Sequence, residues 1–259
     1  MIALSVNVNK VATLRNSRNG REPSVLQAVR TCIEAGAPGI TVHPRSDERH
    51  IRRSDVLEIA ASLDDLVPAE GARPEFNIEG DARSDFINLV LNAQPDQCTL
   101  VPVMPGEVTS QAGWSEATEP RDMRRIVSRL REAGIRVSLF VDPTPAAVRW
   151  AADRGADRVE LFTEPYAVAF ARDPVEGRQS FEMYAEAARL AHELGLGVNA
   201  GHDLDLVNLG LFRELPFLAE VSIGHALVSR ALFVGLDAVV REYLAVLAGD
   251  RAANASGTV

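Results

Sequence analysis

Four of the chain's five histidines stand where an apolar run gives way to polar residues. His43 follows Ile40-Thr41-Val42 and His50 lies seven residues on, while His202 and His225 each come just after a glycine that closes an apolar stretch. Glu79 ends a similar run, Glu160 lies near the end of another, and Asn7, Asn9 and Lys10 surround the end of the first. Histidine and glutamate are the side chains that move protons near neutral pH or that bind a catalytic metal. Beyond His43, Pro44 stops regular pairing, and Arg45, Asp47, Arg49 and His50 follow at once. Such a cationic loop suits an anionic small molecule, and Arg18, Arg45 and His50 can clamp one by charge-assisted hydrogen bonds. Gly224-His225 opens a helical pattern, where backbone N–H groups and the helix dipole favour a second anion. Taken singly, each histidine reads as a satisfied loop or core residue. Independent core histidines would scatter through the chain, whereas these share one position relative to their strands; His192, inside a helical pattern, is the exception and is read as a surface or packing residue.

Elements that could deliver those residues recur from end to end. Strands are expected at 3–7, 40–43, 75–79, 98–102, 136–141, 158–162, 197–200 and 220–224. Helices are expected between and after them at 24–35, 53–66, 83–92, 120–133, 145–154, 177–194, 204–214 and 226–247. Gly36, Gly134, Gly155 and Gly195 each close a helix and lead into the next strand, the joint of a βα unit. Eight such units in about 250 residues predict a single-domain α/β (β/α)8 TIM barrel over 1–249, with a small polar tail at 250–259 expected to be disordered. A doubly wound open sheet would carry a Gly-rich turn after its first strand, and none is present. In a barrel, the strand C-termini form one rim, so His43, Glu79, His202 and His225 converge there.

Composition narrows the partners. The chain of 259 residues is 46% hydrophobic and carries a net charge of −9, which argues against nucleic acid or an acidic membrane face. No apolar run reaches membrane-span length, no signal-peptide core opens the chain, and Cys32 and Cys98 lack metal-ligand spacing; the expectation is a reducing, cytoplasmic compartment. Lys10 is the only lysine beside 26 arginines, which hints at a task that a guanidinium cannot do. Metal-bearing barrel hydrolases commonly place His-x-His after strand one. Asn7-Val8-Asn9 stands there instead, and arginines crowd His43. The expectation is therefore metal-free acid/base chemistry, on a substrate with phosphates at both ends or on two phosphorylated substrates.

The motifs Asn-x-Asn-Lys-x-Ala-Thr-Leu-Arg-Asn-x-Arg at 7–18, Gly-Ile-Thr-Val-His-x-Arg-x-Asp-x-Arg-His-Ile at 39–51, Asn-Ile-Glu at 77–79, Leu-Val-Pro at 100–102, Val-Asn-Ala-Gly-His at 198–202 and Ile-Gly-His-Ala at 223–226 resemble the pyridoxine 5′-phosphate synthase family, in order and over nearly the whole chain. The resemblance implies a barrel enzyme of vitamin B6 biosynthesis. Such enzymes condense 1-deoxy-D-xylulose 5-phosphate with 3-amino-2-oxopropyl phosphate into a pyridine ring, with release of water and inorganic phosphate. No nicotinamide, flavin or other cofactor is implied. By matched position, His43 is a proton acceptor, Glu79 a second acid/base and His202 a proton donor. Asn7, Arg18, Arg45, His50, Thr109, Gly224 and His225 bind substrate, and Glu160 matches a family glutamate at the end of strand six. Asn9, Lys10 and Asp203 occupy substrate-facing positions where better-known members carry Asp, His and Gly. The resemblance also implies a homo-octamer built from dimers.

Two other readings remain open on the residues. One is a Schiff-base aldolase that uses Lys10 on a phosphorylated ketose; the other is a phospho-sugar-binding barrel without activity. The segment 103–118, rich in Gly, Ser and Thr with Trp114 near its far end, is expected to close over the site as a lid.

Overall fold

Each strand alternates two kinds of residue, and that alternation fixes what the sheet encloses. In 75–80, Phe76 and Ile78 are fully buried against helices, while Glu75, Asn77 and Glu79 point the opposite way. The same holds for Val137, Leu139 and Val141 against Arg136 and Ser138, and for Val159 and Leu161 against Arg158 and Glu160. A sheet with an apolar face outward and a polar face inward must cover the first with helices and satisfy the second internally.

The computed structural model describes residues 1–67, 72–103 and 112–249; the tail at 250–259 lies outside them. Strands β1 (Ala3–Asn7), β2 (Gly39–Val42), β3 (Glu75–Gly80), β4 (Gln97–Leu100), β5 (Arg136–Val141), β6 (Arg158–Leu161), β7 (Gly197–Ala200) and β8 (Leu218–Ile223) pair in parallel in chain order. β8 closes on β1, giving the expected (β/α)8 barrel. Helices α2 (Val25–Glu34), α3 (Arg53–Ser62), α4 (Ser84–Ala93), α5 (Met123–Glu132), α6 (Pro145–Asp153) and α8 (Pro174–Glu193) lie close to expectation. All four joint glycines take left-handed φ, at +103°, +81°, +81° and +80°.

Polar side chains fill the barrel. Strands three or four places apart around a closed ring can touch only through its interior, and they do. Ser222 Oγ of β8 donates to Glu79 Oε1 of β3 at 3.3 Å, and Asn199 Nδ2 of β7 reaches Gln97 Oε1 of β4 at 3.4 Å. Below them, Arg158 donates to Asn199 at 2.9 Å and Glu220 at 3.0 Å, and Arg136 pairs with Glu75.

Four expectations are corrected. The stretch after β1 is a helix, α1 (Asn9–Asn16), rather than a loop. It shows no apolar period because little of it faces the core; Asn7 Oδ1 accepts the Asn9 N–H at 3.0 Å and starts it. A helix α7 (Glu164–Arg172) precedes α8, and α8 begins three residues early because Asp173 caps it ahead of Pro174. The expected 226–247 helix is two, α10 (His225–Val234) and α11 (Leu236–Ala248), broken at Gly235 with φ +90°. Finally, 204–214 is mostly turns around the short α9 (Leu209–Phe212).

Candidate active site

Residues at the ends of β1, β2 and β3 are joined, through Asn9 of α1, into one connected group. The His43 backbone N–H donates to Asn9 Oδ1 at 2.9 Å, and the Asn9 backbone N–H is itself held by Asn7 Oδ1. Asn7 Nδ2 then donates to Glu79 Oε2 at 3.4 Å. The geometry brings His43 Nδ1 to 3.7 Å from Glu79 Oε2, a spacing that in water would make an ion pair. Burial decides otherwise. It holds the His43 imidazole down to about 3, with the charges of His50, Arg45 and Arg83 acting in the same direction. It pushes the Glu79 carboxyl up to about 8, against the Ser222 hydrogen bond and with help from Glu220. At neutral pH the pair is thus a neutral imidazole beside a protonated carboxyl, a proton acceptor next to a proton donor. Glu160, beneath them, is raised well above the carboxylate range by burial and then by Glu79 and Glu220.

His202 closes the opposite side. Gly201 permits this, because a Cβ there would stand 2.0 Å from the Ser222 carbonyl oxygen. The His202 ring packs edge-on to Phe162 at 5.8 Å, with Phe140 at 6.5 Å, and its carbonyl accepts from the Thr163 hydroxyl. Asp203 has φ +63°. That left-handed conformation is one that glycine takes freely, and aspartate is among the side chains that tolerate it best.

The cationic groups line the rim of the same cavity, about 500 Å³ in volume, within the range of small-molecule sites. Lys10 enters its wall from the first turn of α1; Arg45 and His50 come from the β2–α3 loop, and Gly224 and His225 from the start of α10. His50 is held down to about 4 by burial, then by Arg45 and Lys10. Its Nδ1 accepts the Ile51 N–H at 2.9 Å, which leaves Nε2 to donate. No side chain caps α10, which opens into the cavity at His225.

Of the residues singled out in the sequence, Asn7, Asn9, Lys10, His43, Arg45, His50, Glu79, Glu160, His202, Asp203, Gly224 and His225 all line this cavity. Arg18 does not; it is exposed beyond the end of α1. Thr109 and half of the expected lid fall in 104–111, outside the described residues. Trp114, at the lid's far end, is buried, with its indole N–H on the Leu100 carbonyl at 2.9 Å and its backbone N–H on the Phe140 carbonyl at 2.8 Å. His192 stacks on Phe217 at the surface. Sequence reasoning missed Ser222 and Phe140, although both follow from the two-residue period of strands already identified. Among the described residues, no group of three or more His, Cys, Asp or Glu side chains is gathered to hold a metal ion.

The sequence model of the family described as pyridoxal phosphate biosynthesis protein PdxJ matches residues 4–249. The chain is 50% identical to a pyridoxine 5′-phosphate synthase of Bacteroides fragilis over 244 residues, covering 94% of this chain and 98% of that one. It is 48% identical to the one named from Leptospira biflexa over 253 residues, covering 95% and 97%. Among solved structures, thiamine phosphate pyrophosphorylase from Pyrococcus furiosus superposes with a TM-score of 0.61 at 13% identity, covering 96% of both chains, a likeness of fold alone.

Proposed function

The chain belongs to the PdxJ family of pyridoxal phosphate biosynthesis proteins, and from that membership we propose that it acts as a pyridoxine 5′-phosphate synthase. It would join 1-deoxy-D-xylulose 5-phosphate to 3-amino-2-oxopropyl phosphate, close the pyridine ring and release water and inorganic phosphate. The observation that supports this reading is His43 Nδ1 lying 3.7 Å from the Glu79 carboxyl, both buried so that the imidazole pKa is lowered and the carboxyl pKa raised, in one cavity with Lys10, Arg45, His50 and the start of α10. Imine formation, dehydration and ring closure each take a proton from a carbon next to a carbonyl or imine, or give one to a departing hydroxyl. His43 would do the first and Glu79 the second, and His202, across the cavity, would protonate the other end of the substrate. Positioned groups of this kind contribute ~10²–10⁴-fold each. Asn7, Lys10, Arg45 and His50 would hold one phosphate, and Gly224 and His225, at the N-terminus of α10, the other. Arg18 and Thr109 are assigned to substrate by the family resemblance alone. Incubation with both substrates should yield a pyridine chromophore and inorganic phosphate together. Phosphate release without the chromophore, or no reaction, would count against the proposal.

The proposal extends to assembly and place. Leu232, Phe233 and Val234 at the end of α10 are 68%, 88% and 42% exposed, an apolar surface that the homo-octamer of the resemblance could cover. No described helix is long and apolar enough to cross a membrane, which is compatible with a cytoplasmic enzyme.

Lys10 keeps a second reading in play. In the covalent role its amine would form an imine with the ketose; in the electrostatic role its ammonium holds a phosphate or carbonyl oxygen. Its place in the cationic wall beside His50 favours the electrostatic role, and the amino ketone brings its own amine. Borohydride reduction with the deoxyxylulose phosphate alone should leave the Lys10 peptide unmodified, and Lys10→Arg should keep most of the turnover. An adduct on that peptide would establish the aldolase-type chemistry instead.

A further inference from the structure

The loop from His43 to His50 is fastened to α1 at both ends. At its start, the His43 backbone N–H donates to Asn9 Oδ1 at 2.9 Å, in the first turn of α1. At its finish, the His50 carbonyl accepts from Arg15 Nη2 at 3.2 Å and from Asn16 Nδ2 at 2.7 Å, both in the last turn. The two anchor points are six residues apart on one helix, about 9 Å at the α-helical rise. Arg15 makes this rigid. Its guanidinium grips Asp55 with both terminal nitrogens, at 2.6 and 2.9 Å, and its Nε donates to Asn16 Oδ1 at 3.0 Å, which orients the Asn16 amide toward the loop. Asp55 also accepts the Arg52 N–H at 2.7 Å and so fixes the start of α3 directly after His50 and the buried Ile51.

We propose that α1 is the strut that sets the His43–His50 loop, and that Arg15, locked by Asp55, is the positioning residue that aims His50 at a substrate phosphate. The inference rests on His50 being a phosphate-binding group, as in the function proposed above. Both charged side chains are almost fully buried, at 6% and 8% exposure. A buried ion pair is weak evidence for stability, since apolar residues of like volume often serve the fold as well. What apolar residues could not supply is a fork of donors that reaches Asp55, Asn16 and the His50 carbonyl at once.

The test compares wild type with the double variant R15M/D55L, which removes both charges together, and with Arg15→Lys and Asn16→Ala. Each is followed by calorimetric binding of inorganic phosphate and by steady-state rates with both phosphorylated substrates. The strut predicts that the phosphate Kd and the KM rise about tenfold or more, the loss expected for hydrogen bonds to a charged group. Turnover at saturation should stay within about threefold, because His43 and Glu79 keep their own anchors. Arg15→Lys should bind weakly as well, since an ammonium cannot reproduce the fork. A folded R15M/D55L with unchanged Kd overturns the inference, as does a collapse of kcat at constant KM. Should that variant not fold, Arg15→Lys and Asn16→Ala decide by the same readings. If wild type binds phosphate yet makes no pyridine, the synthase proposal fails while the Kd ratios still judge the strut. Wild type that binds no phosphate overturns the strut's role as well.

Discussion

Glu79→Gln should cut kcat by about 10²–10⁴-fold while raising the unfolding midpoint at pH 8. The catalytic half follows from the proton that Glu79 carries. Glutamine keeps the shape, and its carbonyl can still accept the Ser222 hydroxyl, but it has no acidic proton to give. The stability half follows from linkage. Burial lifts the Glu79 pKa from 4.5 to about 8, so the folded state binds the proton more tightly than the unfolded chain. That contribution is complete below about 4.5 and is lost as pH rises through about 8, at ~1.4 kcal/mol per pH unit between them. Glutamine does not ionise and escapes the loss, and in a chain of this size each kcal/mol moves the midpoint by ~2–4 °C. An unfolding midpoint at pH 8 below that of wild type, with activity retained, would contradict both halves.

His43→Asn and Arg45→Ala should separate turnover from affinity. His43 directly follows β2 and faces Glu79, and asparagine offers no basic nitrogen, so kcat should fall by about 10²–10⁴-fold with a modest change in KM. Arg45 lies beyond Pro44 on the rim, where in its proposed role the guanidinium would meet the anion before and after the chemistry alike. Its loss removes uniform binding and should raise KM by about 10–150-fold, the equivalent of ~1.5–3 kcal/mol, with kcat nearly kept. Steady-state rates of the two variants decide. Equal losses in both parameters for both proteins would show that the roles are not divided in this way.

The barrel was legible because its signals are local. β1, β5 and β7 fall where alternation places them, and Gly36, Gly134, Gly155 and Gly195 mark their helix ends by a backbone conformation that glycine takes freely. Most of the candidate site was legible for a related reason: a barrel gathers strand ends, so His43, Glu79 and His202 need only end their strands to meet. α1 was not legible. Its order comes from Asn7 at one end and from the Arg15–Asp55 pair, 40 positions apart, at the other. The proton inventory was hidden too. It depends on Glu79, Glu160 and Glu220 sharing one interior with Arg158, contacts that join β3, β6 and β8 through the barrel and leave no trace in any one segment.

The account turns on Glu79 being protonated beside a neutral His43 at pH 7, and the carboxyl can be observed directly. Glutamate labelled with 13C at the side-chain carboxyl, with the Glu79 resonance assigned by its absence in Glu79→Gln, can be titrated in the intact protein. The structure predicts a midpoint near 8, far above the ordinary 4.5. A midpoint near 4.5 would make Glu79 a carboxylate throughout the working range, and the acid/base pairing described here would be wrong.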